Sequence, residues 1–415
     1  MAKDRETSWK WISVVSVVCL IGVTLAAKIS GYWVLTALPV GFLFGFFLEK
    51  GDLCGASAFS EILLLKDWKK MQGIGVVIVV SMLGFSLLDG LGMVKLSPKP
   101  LLWASSIIGG VIFGVGTVLA GACVSGSLFK VAQGNLNSMA ALVAIPIGVM
   151  WVEHGSLKAF QNTLQTYVVK NTDGGPVTFF SLLHLPYWSL SIIFAILTIC
   201  AVIFFRHKNR LPLLQNHSSG TSKLKTIMTS RWRPWQAGIA IGLLACLAYL
   251  SSAASGRNYP LGVTHGVMHA ELLLTDTPLE YVYAPKNNFV PPAINSGKQE
   301  IGKSPKKVSL WLLFEVFAIV LGAFVSAKLT GRARLLPKPP QQTITAFFGG
   351  LLVGVGAAIA GGCIVGNIMS GVALMSVGPL IFAVVVILTN WITTYFYLMG
   401  GSLSDMVWIQ NYFKK

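Results

Sequence analysis

The chain has 415 residues, of which 54% are hydrophobic and only 11% are charged, and its formal net charge is +17. About a quarter of the residues in a soluble domain are charged, so the composition excludes an ordinary soluble protein and predicts an all-α polytopic membrane protein. An excess of lysine and arginine is typical of cytoplasmic loops that meet anionic lipid headgroups, and it also suits a basic vestibule for an anion. We expect a lipid bilayer but no nucleic acid as a partner, and no cofactor.

Long apolar runs follow one another along the chain, and a helix that crosses a bilayer needs about 20 such residues. Three more polar stretches, 153–186, 206–234 and 254–308, interrupt them. The pattern predicts about ten transmembrane helices, at 11–28, 32–48, 73–91, 102–120, 137–152, 187–205, 236–253, 309–327, 343–360 and 379–398.

Positive charge sets the expected orientation, because short loops rich in lysine and arginine stay in the cytoplasm. The basic stretch 206–234 is predicted to be a cytoplasmic linker between a first half, 1–205, and a second half, 235–415. With ten spans, both termini then lie in the cytoplasm. The stretch 254–308 becomes an external loop; it carries six lysines or arginines, but long loops obey the charge rule poorly.

A glycine-rich sequence occurs twice, each time with one cysteine at the same position. Residues 109–126 read GGVIFGVGTVLAGACVSG and residues 349–366 read GGLLVGVGAAIAGGCIVG, with nine of eighteen positions identical. A weaker third copy, GFLFGFFLEKGDLCGAS, covers 41–57. All three copies share the spacing G-x3-G-x8-C, formed by Gly41, Gly45 and Cys54, by Gly110, Gly114 and Cys123, and by Gly350, Gly354 and Cys363.

In each copy an apolar helix runs into a break at the cysteine, and an amphipathic stretch follows that is too short to span a membrane. We interpret these stretches as re-entrant half-helices. The copy with Cys123 ends the fourth predicted span and the copy with Cys363 ends the ninth, so the two point in opposite directions. This predicts an inverted-topology repeat with a pseudo-two-fold axis, which is typical of transporters. Close helix packing through the paired glycines is the alternative, but it does not explain the cysteines.

The start of a half-helix offers unpaired backbone N–H groups and the positive end of a helix dipole, and both favour anions. A thiol adds a weak donor and a soft, polarizable sulfur, which points to a ligand that itself contains sulfur. We expect neutral thiols that donate to the anion, because a bound anion disfavours a second negative charge. The predicted pathway residues are Cys54, Cys123, Cys363, Gly55, Ser125, Gly126, Gly362 and Gly366.

The other cysteines, Cys19, Cys200 and Cys246, are expected to be small buried apolar residues. A possible fourth half-helix, within 257–273, has no cysteine but places His265 and His269 four residues apart, as in a metal pair. No third ligand is visible, so we favour polar loop histidines and expect no metal. The sequence also has no CxxC motif and no ATP-binding P-loop.

These motifs, together with YPLGVT between them, resemble the YeeE/YedE family of sulphur transport proteins over nearly the whole chain. The resemblance implies uptake of thiosulfate or a related sulfur species across a bacterial inner membrane, and an hourglass-shaped fold with re-entrant half-helices. It implies three pathway cysteines, which match Cys54, Cys123 and Cys363, and a small cytoplasmic sulfur-carrier partner of the TusA type. The extra N-terminal span and the long 254–308 loop depart from the shorter members.

We expect a transporter and not an enzyme, but other functions fit part of the pattern. A membrane thiol–disulfide oxidoreductase would relay electrons through cysteine pairs, although the missing CxxC argues against it. A general anion channel would leave the thiols incidental, and some relatives are linked with selenium, so a selenium compound is an alternative substrate. The sequence identifies no coupling ion and leaves open whether an intact anion or a persulfide passes along the cysteines.

The expected orientation is tested by reporter fusions at Ser219, in the basic linker, and at Asn171, in the stretch 153–186. We expect opposite compartments, with Ser219 in the cytoplasm, because the linker carries the lysine and arginine excess. A cytoplasmic reporter and an external reporter should each be active at one site only. The same compartment for both fusions would contradict the ten-span topology.

Overall fold

The structure is a computed structural model, and it describes residues 2–171, 174–208, 229–275, 279–282, 306–335 and 337–400. Helices dominate this part of the chain, and the strands within it form two short pairs. Strand β1 (Leu101–Leu102) is antiparallel to β2 (Val168–Val169), and β3 (Leu279–Val282) is parallel to β4 (Lys306–Ser309). The predicted all-α fold class is confirmed.

The helices follow the predicted spans and half-helices closely. In the first half they are α1 (Ala2–Ser30), α2 (Ala37–Gly51), α3 (Gly55–Leu65), α4 (Lys69–Gly90), α5 (Trp103–Ala120), α6 (Val124–Ala132), α7 (Leu136–Glu153), α8 (Lys158–Thr166), α9 (Phe179–Leu182) and α10 (Tyr187–Lys208). In the second half they are α11 (Pro234–Ala254), α12 (Thr264–Thr275), α13 (Leu310–Thr330), α14 (Pro340–Ile359), a π-helix (Ile364–Val372) and α15 (Val377–Leu398). A short 3-10 turn, Trp33–Thr36, precedes α2.

Nine helical segments of the described part are long and apolar enough to cross a membrane, so the chain is a polytopic membrane protein. They are Ser13–Ser30, Trp33–Leu65, Lys69–Gly90, Trp103–Ala132, Leu136–Glu153, Pro234–Ala254, Leu310–Thr330, Pro340–Val372 and Val377–Leu398. The tenth predicted span, 187–205, falls on α10, where Tyr187–Thr198 is apolar but shorter.

Several predicted loops fall partly or wholly outside the described residues. Of the basic linker 206–234, residues 209–228 lie outside, and so do 401–415 at the C-terminus. Of the loop 254–308, residues 254–275, 279–282 and 306–308 are described, and they include α12, β3 and the start of β4. The division into two halves with a cytoplasmic linker therefore stays a prediction.

Glycines allow helices of the first half to pack directly on helices of the second. A Cβ built on Gly41 or Gly45 of α2 would overlap the backbone of Glu315 or Ile319 on α13, so these two helices run side by side in the same direction. Three further pairs run parallel, namely α4 with α11 (Gly73 to Gly238 and Val80 to Gly242), α5 with α15 (Gly110 to Val385 and Gly114 to Thr389), and α7 with α14 (Ala141 to Gly350 and Ile145 to Gly354).

The two helices that carry the near-identical motifs pack against each other in opposite directions. A Cβ on Gly109 of α5 would lie 2.7 Å from the backbone nitrogen of Ala360, whereas one on Gly116 would lie 2.6 Å from that of Val353. Later residues of α5 therefore contact earlier residues of α14, so the two helices are antiparallel. An inverted repeat requires this antiparallel direction, although the pseudo-two-fold repeat itself stays a prediction.

The close approach of α14 to α7 makes Gly354 intolerant of a side chain. A Cβ there would overlap the carbonyl oxygen of Ile145, and overpacking of this kind costs about 1–3 kcal/mol. We expect Gly354→Ala to lower the folded yield and the melting temperature in detergent, measured by size-exclusion chromatography and thermal unfolding, and leucine at Gly354 or Gly114 to be worse.

The matched control is Gly75→Ala on α4, where nothing lies within 4 Å of a built Cβ. Alanine is a better helix former than glycine by about 1 kcal/mol, so this variant should be as stable as the unmodified protein or more so. Equal stability of the two alanine variants would show that the close approach at Gly354 does not limit the stability of the protein.

Candidate functional site

Each motif cysteine stands at the N-cap of a helix that begins one residue later. Helix α3 follows Cys54, α6 follows Cys123, and the third helix, which is a π-helix and not the expected α-helix, follows Cys363. The first helical hydrogen bonds run from Ala58 N to Cys54 O (2.9 Å), from Ser127 N to Cys123 O (2.8 Å) and from Asn367 N to Cys363 O (2.8 Å). The three N–H groups between each cysteine and its bonded partner therefore have no acceptor earlier in their own helix and can face an anion.

Glycines make the turn that ends the preceding helix in the two near-identical copies. Gly121 has φ +68° and Gly361 has φ +67°, a left-handed conformation that glycine adopts without a steric penalty. The two residues occupy the same position, two before the cysteine. Each turn ends its helix, and the cysteine and the first residue of the next helix are buried.

In each of these two turns, a lysine side chain donates a hydrogen bond to the carbonyl oxygen of the glycine. Lys130, on α6, donates from Nζ to the carbonyl oxygen of Gly121 at 2.7 Å. Lys99, in the segment before β1, donates from Nζ to the carbonyl oxygen of Gly361 and to Oδ1 of Asn367, both at 2.7 Å. Corresponding carbonyls at the two breaks thus receive the same charged donor, and each break gains a positive charge beside its thiol.

The break at Cys363 opens onto a cavity of about 370 Å³ that carries two basic side chains. Lys99 and Arg257 line it together with Cys363, and the expected residues Gly362 and Gly366 line it as well. Burial lowers the pKa of Lys99 to about 8, and the nearby Arg257 adds to the lowering. Burial also lowers the pKa of Arg257, but a guanidinium starts so high that it keeps its charge.

Aromatic rings hold the two cations in place. The guanidinium of Arg257 lies 5.2 Å from the ring centre of Trp311 and 5.5 Å from that of Tyr259, and Nζ of Lys99 lies 5.2 Å from the same Tyr259 ring. Tyr259 in turn donates from Oη to the carbonyl oxygen of Gly366 at 2.7 Å. One tyrosine therefore connects both cations to the helix that begins after Cys363.

The other two motif cysteines lie together, away from this cavity. The thiols of Cys54 and Cys123 are within hydrogen-bonding reach of each other, and Sγ of Cys123 lies 3.4 Å from Oγ of Ser125. A Cβ on Gly126 would overlap Sγ of Cys54 and lie 3.5 Å from Sγ of Cys123, so only glycine leaves room for both sulfurs.

A side chain from the copy that contains Cys363 approaches this pair of thiols. A Cβ on Gly55 would lie 2.6 Å from Cδ1 of Ile364, the first residue of the π-helix. The three copies therefore meet inside the protein, and all three motif thiols are fully buried and free.

Two cysteines outside the motifs do not match the expectation of burial. Cys19 and Cys200 are exposed, on α1 and α10, while Cys246 is partly buried and its Sγ donates to the carbonyl oxygen of Gly242 at 3.4 Å. The prediction of burial was wrong for Cys19 and Cys200. Helix α1 is almost entirely uncovered by the rest of the protein, and in a membrane protein an apolar residue can face lipid instead of a core.

The two histidines of α12 line the same cavity as Cys363. Nε2 of His265 lies 3.1 Å from Oε1 of Glu153, and His269 is buried, which lowers the pKa of His269 to about 4 and keeps it neutral. In the described residues no group of three or more histidine, cysteine or acidic side chains is arranged to hold a metal ion.

Lys99, Lys130 and Arg257 were not among the residues expected from the sequence. Lys130 could have been found, because it lies on the half-helix after Cys123, one turn beyond the expected anion site. Lys99 and Arg257 lie in polar segments far from Cys363 in sequence, and only the packing of distant segments brings them to it.

The pKa of Lys99 predicts a pH dependence of anion binding. Below pH 8 most of Lys99 is a charged ammonium and above pH 8 most of it is a neutral amine, so affinity for thiosulfate should fall as the pH rises through 8. Lys99→Met should cost about tenfold or more in affinity at pH 7, because a hydrogen bond to a charged group contributes about 1.5–3 kcal/mol, and should flatten the pH profile. Isothermal titration calorimetry measures both effects.

The matched control is Lys95→Met, since Lys95 is exposed and lies in the same segment. It should bind thiosulfate with unchanged affinity and the same pH profile as the unmodified protein. An unchanged profile in Lys99→Met would show that another group titrates.

Comparison with known proteins identifies the family of this chain. A family model described as "Sulphur transport" matches residues 50–392. The chain is 30% identical over 369 residues to "Thiosulfate transporter TsuA" of Spirochaeta thermophila, which covers 86% of this chain and 96% of that protein. It is 28% identical over 360 residues to "Thiosulfate transporter TsuA" of Escherichia coli, which covers 86% and 93%.

A shorter match, 31% identical over 103 residues, is to "Probable transporter YedE" of Escherichia coli and covers 24% of this chain and 25% of that protein. Because the family model spans far more than half of the sequence, the chain belongs to the YeeE/YedE family of sulphur transport proteins.

Proposed function

We propose that this chain takes up thiosulfate, or a sulfur anion of similar chemistry, across a bacterial inner membrane, and that the anion passes along Cys363, Cys123 and Cys54. The observation that carries the proposal is the cavity in which two cations and a buried thiol meet at the start of a helix. Lys99 and Arg257 attract the oxygen end of the anion, while a soft thiol suits its terminal sulfur. The relatives named as thiosulfate transporters support the same substrate.

The antiparallel packing of α5 and α14 supports an inverted repeat in which the breaks at Cys123 and Cys363 meet the anion in turn. With α14 entering from the cytoplasm, as the basic residues before it indicate, Cys363 and its cavity belong to the external half of the path. Cys123 and Cys54 then belong to the cytoplasmic half, where Lys130 stands beside them. Both termini lie in the cytoplasm in this orientation.

Neutral thiols suit passage of the intact anion. In the described structure each motif cysteine is a free thiol in a buried setting, where an additional negative charge would be costly. An S–H group can donate a hydrogen bond to the arriving anion and release it to the next thiol. A small cytoplasmic sulfur carrier of the TusA type would accept the anion, or sulfur derived from it, after the last thiol.

A thiol–disulfide oxidoreductase is the second candidate, and the contact between Cys54 and Cys123 is what favours it. Two adjacent thiols can form a disulfide, and a redox relay would need that bond in each cycle. Mass spectrometry of the protein purified without reductant separates the two functions. A transporter with hydrogen-bonding thiols should show free Cys54 and Cys123 during uptake, whereas obligatory disulfide formation would favour the relay.

The cysteine pathway predicts a graded set of uptake defects. Cys123→Ala and Cys363→Ala should abolish most labelled thiosulfate uptake at normal protein levels, because each removes a donor without adding bulk, and Cys54→Ala should reduce it at least partly. Partial activity of Cys→Ser variants would support the hydrogen-bonded relay, and complete loss would support covalent persulfide transfer. The measurement uses cells in which this protein is the sole thiosulfate uptake route.

The controls are Cys19→Ala, Cys200→Ala and Cys246→Ala, whose sulfurs lie outside the three breaks. They should retain uptake close to the unmodified rate. Full uptake by Cys123→Ala together with loss in Cys200→Ala would show that the anion follows another path.

A further inference from the structure

A buried carboxylate lies within electrostatic reach of Arg257, which lines the cation cavity. Glu315 lies on α13 with no exposed surface, and neither of its carboxylate oxygens has a hydrogen bond in the described structure. The polar groups that act on it are the guanidinium of Arg257 and the backbone N–H of Gly262. A charged carboxylate in an apolar interior is costly unless it is paired, and ionisable residues inside spanning helices commonly mark ion pathways.

The other fully buried carboxylate of the described chain, Glu49, has a different environment. It accepts hydrogen bonds from Ser326 and Gln133 and pairs with Arg332, whose Nη2 lies 3.2 Å from Oε1. A network of this kind satisfies the charge and fixes it in place. Glu315 has no such network, so its charge depends on the one cation beside it.

That cation also faces the cavity. Nη1 of Arg257 donates to the carbonyl oxygens of Tyr259 and Pro260, at 3.2 and 2.9 Å, while Nη2 lies against Gly262, which lines the cavity. Arg257 therefore lines the proposed anion site and its charge also acts on Glu315. An anion that binds Arg257 from the cavity competes with the Glu315 carboxylate for the same positive charge.

We propose that Glu315 is a proton-binding site that couples anion uptake to proton entry. A proton from the outside binds Glu315 and frees Arg257 for the anion. When the anion leaves Arg257 toward the cytoplasm, Glu315 releases its proton toward the same side, and the charge of Arg257 again balances that of the carboxylate. This coupling rests on the proposed function and adds its second substrate, the proton. Thiosulfate carries two negative charges, so one proton carried with it halves the net charge moved against an inside-negative potential and thereby halves the electrical work.

Other titratable groups surround the same helix and must be separated from Glu315. Helix α12, which packs on α13, contributes His265, His269 and Glu271, and the opposite end of α2 contributes Glu49 and Lys50. Of the charged side chains of these elements and the adjoining loop, Arg257 is the one that acts on the Glu315 carboxylate. His269 is neutral across the range in which transport is measured, since burial lowers its pKa to about 4.

The test uses the full-length protein in vesicles of phosphatidylethanolamine and phosphatidylglycerol that enclose a pH-sensitive dye. Labelled thiosulfate is added outside, with the outside more acidic by about one pH unit and the membrane potential held at zero by valinomycin and equal potassium on both sides, which drives about tenfold accumulation for each proton carried. We expect thiosulfate to trigger proton entry and to accumulate inside. Glu315→Gln should bind thiosulfate in detergent but lose both the triggered proton entry and the tenfold accumulation, while Glu315→Asp should keep them.

Glu49→Gln is the matched control, because it neutralises an equally buried carboxylate that the anion site does not use. It should lower folded yield but retain proton entry with thiosulfate. Three results would overturn the coupling. They are that thiosulfate triggers no proton entry in the unmodified protein, that a sodium gradient and not a proton gradient drives its accumulation, or that Glu315→Gln leaves the proton entry unchanged. If Glu315→Gln does not fold, Glu315→Met takes its place, and its proton entry with thiosulfate is compared with that of the unmodified protein. Absence of thiosulfate uptake under every gradient would contradict the proposed function itself, which keeps the two failures distinct.

Discussion

Two lysine ammonium groups donate hydrogen bonds to the carbonyls of Gly121 and Gly361, and the rest of the site depends on these two contacts. A helix end leaves carbonyl groups without partners in their own helix, and Gly121 and Gly361 are exposed, so that a side-chain donor can reach their carbonyl oxygens. A lysine satisfies the carbonyl and at the same time leaves a positive charge beside the cysteine. The same contact that permits the break therefore also prepares it for an anion, which a neutral donor would not do.

Close packing through glycine is the second requirement, because the breaks must meet. Helices α5 and α14 touch backbone to backbone in opposite directions, and Gly126 and Gly55 leave room for the sulfur of Cys54 and the side chain of Ile364. Moving two negative charges into a cell against a potential of about 100 mV costs about 4.6 kcal/mol. Only the charge that is moved and the potential set this work, but the fixed positive charges of the proposed path, Lys99 and Arg257 at one break and Lys130 at the other, lower the cost of bringing the anion into the apolar interior.

Local patterns in the sequence predicted the spans, the helix breaks and the helix starts after Cys54, Cys123 and Cys363, because each depends on residues within one motif. Sequence did not predict the cation cavity, since Lys99 and Arg257 reach Cys363 only through the packing of distant segments. The contact between Cys54 and Cys123 was missed for the same reason, and Glu315 looks like one polar residue in an apolar run. The π-helix after Cys363 has no distinct sequence signal, and the exposure of Cys19 and Cys200 was missed because apolar composition does not distinguish a residue suited to face lipid from a buried one.

The central claim is that a sulfur anion sits between the two cations and the thiol of Cys363. Selenosulfate, which is thiosulfate with selenium in place of its terminal sulfur, locates that atom directly by anomalous diffraction from crystals grown with it. The account predicts an anomalous peak in the cavity lined by Lys99, Arg257 and Cys363, with the selenium on the side of the Cys363 thiol and the oxygens toward the cations. A peak confined to the protein surface, or one in the interior away from all three motif cysteines, would contradict it.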